Sequence, residues 1–273
     1  MNDDHEGRCS RLRENSVRRG RISVLGGAVL LAMTAAAAFA QTPAIPSKDS
    51  AHSVTVVIGF VGGFVKNDDS RHPEVQIIQR LSKETVPGFH AVVYENRRTA
   101  AAREQILRWL DTDGDGHLSA QEKQNARIIL FGHSWGGSAV LRLAKDLDRV
   151  GVPGLLTIQI DSVNRGLGHS CVIPANVAEA TDFYQTRGLV HGCPELQVED
   201  SHRTKITGSY EFEYTEQPDG CLALPWVDRH FLKTHNAMGC DPRVWSQVED
   251  EIRAHLPDAR HAEMGGGIPH PSR

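Results

Sequence analysis

Short apolar runs alternate with longer amphipathic segments over most of the 273-residue chain. The apolar runs are rich in valine, isoleucine and leucine and are short, so they predict buried strands. The predicted strands lie at residues 52–60, 89–96, 126–132 and 154–161, with a possible fifth at 203–214. The amphipathic segments repeat apolar residues at the spacing of a helix. The predicted helices lie at residues 72–84, 99–111, 138–151 and 241–256.

This alternation predicts the fold class. Strands that are apolar along nearly their whole length, with helices between them, indicate a mostly parallel sheet covered on both faces. The predicted class is therefore α/β, with one folded domain at residues 52–257. The polar segment at 41–51 is predicted to be a linker, and the tail at 258–273 is predicted to be disordered.

The first 40 residues have the three parts of a secretory signal peptide. Arginines from Arg8 to Arg21 precede the apolar run ISVLGGAVLLAMTAAAAFA, which ends with small residues at Ala38 and Ala40. We therefore predict cleavage after Ala40 and export to the periplasm or the exterior, with no stable membrane span left in the mature chain. An uncleaved membrane anchor is the alternative, because the run is marginally long enough to span a bilayer.

The net charge argues against a nucleic-acid partner, and the cysteine content fits an oxidising compartment. A formal net charge of −4 gives no basic surplus of the kind that nucleic-acid binding requires. Four cysteines remain after cleavage, and an even number in an oxidising compartment predicts two disulfides. Nearest-neighbour pairing, one of three possible pairings, would join Cys171 to Cys193 and Cys221 to Cys240. The alternative is a zinc site that adds His169 and His191, although their spacing is not a standard zinc pattern.

The segment GHSWG at residues 132–136 joins the third predicted strand to the helix that follows it. It fits the G-x-S-x-G pattern, in which glycines let a strand and a helix meet closely around a sharply turned serine. Ser134 would stand clear at the carboxyl end of the sheet as a nucleophile, whereas the alternative is a polar residue in a tight turn. With a strand before it and a helix after it, the segment resembles the nucleophile elbow of the α/β-hydrolase superfamily. The resemblance extends from about His52 to Leu256.

The resemblance implies a catalytic triad ordered serine, acid and histidine along the chain. Asp161, which ends the fourth predicted strand, is the predicted acid. Its rivals are Asp182, Asp200 and Asp228. His235 lies just before the last predicted helix and is the predicted base, favoured over His230.

The resemblance also implies an oxyanion hole made of two backbone amides. One amide is that of Trp135, directly after the nucleophile, and the other is that of Phe60 or Val61, at the end of the first strand. Because the mature chain reaches its first core strand within about a dozen residues, we expect the sheet to lack the first two strands of this fold. The expected activity is that of an exported serine hydrolase acting on carboxylic esters first, and on lipids or thioesters next.

The segment DTDGDGHLSAQE at residues 111–122 matches the calcium-binding loop of an EF-hand. Alternate residues of such a tight loop point oxygen atoms at a hard cation. The predicted ligands are Asp111, Asp113, Asp115, the carbonyl of His117, Ser119 and Glu122. The short space before the next strand and the lack of a second such loop in the sequence depart from EF-hand proteins, and a solvated acidic turn is the alternative. We expect a Ca²⁺ ion that braces the fold.

Two hypotheses for function follow. The first is the serine hydrolase, whose partner is a small-molecule ester or lipid. The second is a non-catalytic calcium-binding or interaction module on a hydrolase scaffold, because His235 is chosen by its position and EF-hands are more often regulatory parts.

Overall fold

The structure, a computed structural model, describes residues 53–164, 171–223, 226 and 232–257. The predicted signal peptide at 1–40, the predicted linker at 41–51 and the predicted tail at 258–273 lie outside these residues. None of the helices among the described residues combines the length and the apolar character needed to cross a membrane.

A sheet of six parallel strands forms the centre of the described part of the chain. The strands are β1 (Val54–Val61), β2 (Phe89–Glu95), β3 (Ala126–His133), β4 (Gly154–Ile160), β6 (Val177–Tyr184) and β8 (Lys205–Glu211). Their spatial order is β2-β1-β3-β4-β6-β8, and every neighbouring pair runs parallel. Two short strands, β5 (Val172–Ile173) and β7 (Gln197–Val198), pair separately. The predicted parallel α/β sheet is therefore confirmed.

The helices follow from local sequence signals. They are α1 (Pro73–Leu81), α2 (Thr99–Leu110), α3 (Ala120–Gln124), α4 (Trp135–Asp148), α5 (Lys233–Met238) and α6 (Pro242–Ala254), with a 3-10 helix at Asp219–Ala223. Helices α1 and α6 both begin with proline, whose fixed φ suits the first turn. The Asp241 side chain caps α6 by accepting from the Arg243 amide at 2.9 Å.

Two apolar cores cover the two faces of the sheet. One core holds the buried faces of α2 and α4, with Ile106 and Leu143 as examples, and the other holds those of α1 and α6, with Ile77 and Val248. Strands β1, β3 and β4 are buried along their whole length, as their near-continuous apolar sequences require.

Three features of the fold differ from the sequence predictions. Strand β6 was not predicted, because polar residues interrupt its apolar pattern, yet it is the strand beside β4. Helix α4 begins at Trp135 instead of residue 138, so that it starts directly after Ser134. His235 lies within the short helix α5, which was not predicted.

The strand order reverses beside Ser134. Strand β1 lies between β2 and β3. The connection from β1 leads to β2 on one side, whereas β3 and the later strands extend the sheet on the other side. In open α/β sheets, ligands bind at the carboxyl edge where the strand order reverses. The loop after β1 and the turn after β3 meet at this edge.

Candidate active site

Ser134 occupies a strained turn between β3 and α4. Its backbone has φ 57° and ψ −124°, a conformation that non-glycine residues rarely adopt. The glycines on either side explain how the turn fits. A Cβ at Gly132 would lie 2.6 Å from the carbonyl carbon of Gly136, and one at Gly136 would lie 2.1 Å from the Phe60 carbonyl oxygen. Only glycine permits this approach of strand and helix, which lifts the serine side chain to the sheet edge.

Asp161 directly follows β4 and is fully buried. Its carboxylate accepts hydrogen bonds from the Gly192 amide, from Gln185 Nε2 at 3.0 Å and from His235 Nδ1 at 2.7 Å. Its backbone also has a positive φ, 42°, which is uncommon for a non-glycine residue. Three donors on one carboxylate fix its orientation.

His235 joins the other two predicted residues. Its Nδ1 lies 2.7 Å from Asp161 Oδ2, and its Nε2 lies 2.8 Å from Ser134 Oγ. Because a carboxylate only accepts, the Nδ1 atom carries the proton, which leaves Nε2 to accept from the serine hydroxyl. The structure thus brings Ser134, His235 and Asp161 into one continuous hydrogen-bonded chain, although 101 residues separate the serine from the histidine.

The rival acids lie elsewhere. Asp182, on β6, is fully buried, and burial together with the nearby charge of Asp161 raises its pKa well above its ordinary value. Asp200 accepts from the His202 amide at 2.9 Å in an outer turn. Asp228 and the rival base His230 lie outside the described residues. Among the described candidates, Asp161 is therefore the acid in contact with a histidine that also contacts Ser134.

The segment predicted to supply oxyanion donors borders Ser134. Phe60 lies inside β1, aligned with Gly132 of β3, and Val61 is the last residue of that strand. A Cβ on the next residue, Gly62, would lie 3.2 Å from the Ser134 Cβ. The turn is held from the other side by Asn96, whose Nδ2 donates to the Val61 carbonyl at 3.2 Å and to the carbonyl of residue 63 at 2.6 Å. The amides of Phe60 and Val61 stay predicted donors together with that of Trp135.

Two disulfides brace the surroundings of the site. They join Cys171 to Cys193 and Cys221 to Cys240, the nearest-neighbour pairing. The first bridge leaves neither thiolate free for the alternative zinc site, and His191 Nδ1 lies 2.9 Å from the Gly192 carbonyl oxygen. The second bridge ties the 3-10 helix to the end of the segment that carries His235.

The predicted calcium loop has its first three acidic residues close together. Oxygen atoms of Asp111, Asp113 and Asp115 all lie within 4.8 Å of one another. The Gly116 backbone has φ 82°, and its amide donates to Asp111 Oδ2 at 3.0 Å, which closes the bend. Glu122 accepts from Ser119 in the capping box of α3 and also from the Thr112 amide. The buried Asp111 Oδ1 has no hydrogen-bond partner among the described residues.

Several residues near the triad were not predicted. Gln185 and Gly192 donate to Asp161, His133 contacts the His235 carbonyl, and Glu74 accepts from the His133 amide. The sequence shows that Glu74 lies at the start of a predicted helix. It does not show that this acid is buried, because its burial depends on the packing of α1 against the end of β3.

Glu74 provides a prediction about stability. Its side chain is 1% exposed, and burial raises its pKa to about 8 although backbone amides of Glu74 and His133 donate to it. Below about pH 4.5 the carboxyl is protonated in both states, and above that value it ionises in the unfolded chain only. The free energy of unfolding therefore falls as the pH rises from about 4.5 to about 8, by up to about 1.4 kcal/mol per pH unit.

Glu74→Gln, which mimics the protonated acid, is expected to flatten that slope and to stabilise the protein at pH 8 relative to the unaltered chain. Urea unfolding at pH 5.5 and pH 8 measures the difference, with the exposed Glu104→Gln as the matched control. Equal slopes for the Glu74 variant and the unaltered chain would mean that Glu74 is ionised in the folded protein.

Comparisons with known proteins find only distant structural similarity. No family model matches the sequence, and no curated protein matches it. Among solved structures, one similar to this chain is RedJ with a polyethylene glycol molecule in its active site, at 9% identity and a TM-score of 0.39, covering 77% of this chain and 96% of that one. Another is a cutinase-like protein from Cryptococcus sp., at 13% identity and a TM-score of 0.37, covering 77% of this chain and 98% of that one.

Proposed function

We propose that this protein is an exported serine hydrolase of α/β-hydrolase type that cleaves carboxylic esters, with lipid esters and thioesters as the next substrate classes. The observation that carries the proposal is the hydrogen-bonded chain from Asp161 through His235 to Ser134. An acid, a base and a hydroxyl in this order, each within hydrogen-bond reach of the next, form the arrangement that activates a serine nucleophile.

The reaction begins with proton transfer from the Ser134 hydroxyl to His235 Nε2 as the oxygen attacks the ester carbonyl carbon. The imidazolium that forms is stabilised by the Asp161 carboxylate, which itself keeps its charge. Return of the proton to the leaving alcohol breaks the ester bond and leaves an acyl group on Ser134. Water, activated by His235 in the same way, then releases the acid.

Negative charge develops on the carbonyl oxygen during both steps. The amide of Trp135 begins the 14-residue helix α4, whose N-terminus favours a negative charge. A second donor, the amide of Phe60 or Val61, would complete the oxyanion hole from the end of β1. Loss of one such donor costs about 3 kcal/mol of barrier in serine hydrolases.

Export is part of the proposal. The predicted signal peptide ends at Ala40, and all four cysteines after it form disulfides, which persist in oxidising compartments such as the periplasm and the exterior.

The activity is tested with purified mature protein, disulfides intact, on a panel of p-nitrophenyl esters of increasing acyl length and one thioester. Ester hydrolysis that depends on Ser134 would support the proposal and define the preferred chain. No turnover of any ester in the presence and in the absence of Ca²⁺ would favour the non-catalytic calcium-binding module instead.

The loop at 111–122 is proposed to bind a structural Ca²⁺ ion. The three clustered aspartates, the buried and unpartnered Asp111 Oδ1 and the bend at Gly116 fit an oxygen-rich cation site. The His117 carbonyl and Ser119 would add ligands, and Glu122 would have to use lone pairs left by its capping-box bonds. Bound Ca²⁺ would neutralise the repulsion among the carboxylates and fix the connection between α2 and β3.

Calcium is therefore expected to raise the melting temperature. At 100 times its dissociation constant, an ion that binds only the folded state adds about 2.7 kcal/mol, which corresponds to a shift of about 5–10 °C in a domain of this size. Differential scanning calorimetry with CaCl₂ and with EGTA measures the shift. Asp111→Ala should abolish it, and the exposed control Asp68→Ala should preserve it. An equal midpoint under both conditions would show that Ca²⁺ does not stabilise the fold.

A further inference from the structure

His133, the residue between Gly132 and Ser134, contacts His235, the predicted base. Its Nε2 lies 3.2 Å from the His235 carbonyl oxygen, and the two imidazole rings stack with centroids 4.8 Å apart and planes 29° from parallel. A carbonyl oxygen only accepts, so His133 carries its proton on Nε2 and donates to the His235 backbone.

The surroundings leave the His133 ring little freedom. A Cβ at Gly239 would lie 2.7 Å from His133 Cε1, and a Cβ at Gly62 would lie 3.5 Å from His133 Nδ1. Glycine at position 239, directly after α5, thus lets the ring lie close to the helix that carries His235. Both imidazoles are buried.

The charge state of His133 suits this contact. Burial lowers its pKa well below the ordinary value, and the neighbouring His235 and His72 add to the effect. A neutral His133 does not oppose the positive charge that His235 acquires during the proposed reaction. The adjacent carboxyl of Glu74, which accepts from the His133 amide, is itself neutral below about pH 8.

We propose that His133 is a positioning residue for His235: its Nε2–H anchors the first turn of α5 so that the base reaches both Ser134 and Asp161. The need for an anchor is local. Helix α5 has only six residues, and it begins after Leu232, whose φ of 56° is strained for a non-glycine residue. The hydrogen bond and the stacked ring tie this helix directly to β3, the strand that ends in the nucleophile. This inference rests on the proposed hydrolase function, because the aligned base matters only for that chemistry.

Two substitutions at position 133 separate the hydrogen bond from the ring. His133→Phe keeps a flat ring and removes the donor, whereas His133→Gln keeps an amide donor at a similar reach. We expect the phenylalanine variant to lose about 10- to 100-fold in kcat with KM changed less than about twofold, and the glutamine variant to recover most of the loss. His90→Phe is the matched control, because His90 also stacks on an aromatic ring, that of Trp109, but lies on β2 away from the triad.

Gly239→Ala provides a second variant if the phenylalanine substitution prevents folding. Its Cβ would displace the His133 ring, and a fall of about tenfold in kcat is expected. Full activity of Gly239→Ala, full activity of His133→Phe, or an equal loss in His133→Phe and His133→Gln would each overturn the proposal.

A proton NMR measurement tests the positioning without catalysis. The His235 Nδ1 proton, held by Asp161, should give a downfield resonance that persists in the unaltered protein and in His133→Gln and is lost in His133→Phe. If the unaltered protein hydrolyses no ester, the proposed function fails, and this resonance still decides the role of His133. Its persistence in His133→Phe would show that the imidazole does not need this anchor.

Discussion

Replacing Ser134 with alanine is expected to lower kcat for ester hydrolysis by about 10⁴- to 10⁶-fold, since it removes the atom that forms the acyl-enzyme. The fold should be preserved, because alanine is smaller and the turn is set by the flanking glycines. KM should change little, because the hydroxyl acts on the reacting carbon and contributes little to binding the rest of the substrate. Stopped-flow or steady-state assays with the best ester of the panel measure the loss.

Ser138 offers the matched control for that substitution. It is a buried serine one helical turn later, and its hydroxyl donates to the Trp135 carbonyl at 3.0 Å. Ser138→Ala should retain kcat within about threefold, since it touches no reacting atom. Equal activity of Ser134→Ala and Ser138→Ala would exclude Ser134 as the nucleophile.

Asp161→Asn is expected to lower kcat by about 10⁴-fold with nearly unchanged geometry. The carboxylate now accepts from Gly192, Gln185 and His235, and an amide has only one oxygen to offer these three donors. If the asparagine oxygen takes the place of Oδ1 and accepts from Gly192, its NH₂ group takes the place of Oδ2 and faces Gln185 and His235. An NH₂ group facing His235 Nδ1 favours the tautomer whose Nε2 is protonated. That tautomer cannot take the proton of Ser134.

Asp182→Asn is the control for the acid. Asp182 is equally buried and was a rival candidate from the sequence, but burial and the charge of Asp161 raise its pKa, which favours the neutral carboxyl. An isosteric neutral amide should therefore leave kcat within a few-fold of that of the unaltered protein. A large loss in Asp182→Asn, together with near-normal activity of Asp161→Asn, would reassign the acid.

The parallel core of the sheet was predictable because its strands are buried on both faces. Strands β1, β3 and β4 are consequently near-continuous apolar runs, and turn residues such as Gly151 mark their limits. Strand β6 escaped prediction because Glu179, Thr181 and Asp182 break its run. The strand is buried because it pairs with β4 and β8 in the assembled sheet, and its own residues do not predict this.

The elbow was predictable for a different reason. Close approach of strand and helix requires glycine at positions 132 and 136, and both glycines lie within a motif of five consecutive residues. The partners of Ser134 were proposed from their order along the chain, and their side chains lie in one hydrogen-bonded chain; their catalytic roles are tested by the substitutions above.

The supporting contacts could not be predicted from local sequence. Gln185 and Gly192 reach Asp161 from 24 and 31 residues away, and His133 reaches the His235 carbonyl from 102 residues away. Each of these residues has an ordinary local sequence, and only the packing of β4, β6 and α5 brings them together. The calcium loop is the opposite case, since its predicted ligands lie within twelve consecutive residues and can be recognised from local sequence. What needs testing there is whether the loop binds Ca²⁺.

Covalent labelling by a fluorophosphonate probe measures the activation of Ser134 most directly, since it requires no knowledge of the natural substrate. We expect one adduct per chain by intact mass spectrometry, mapped to Ser134 by peptide analysis, lost in Ser134→Ala and strongly slowed in His235→Ala. A folded, disulfide-intact protein that stays unmodified with and without Ca²⁺, or that carries the adduct on another residue, would contradict the proposed role of Ser134 as the nucleophile.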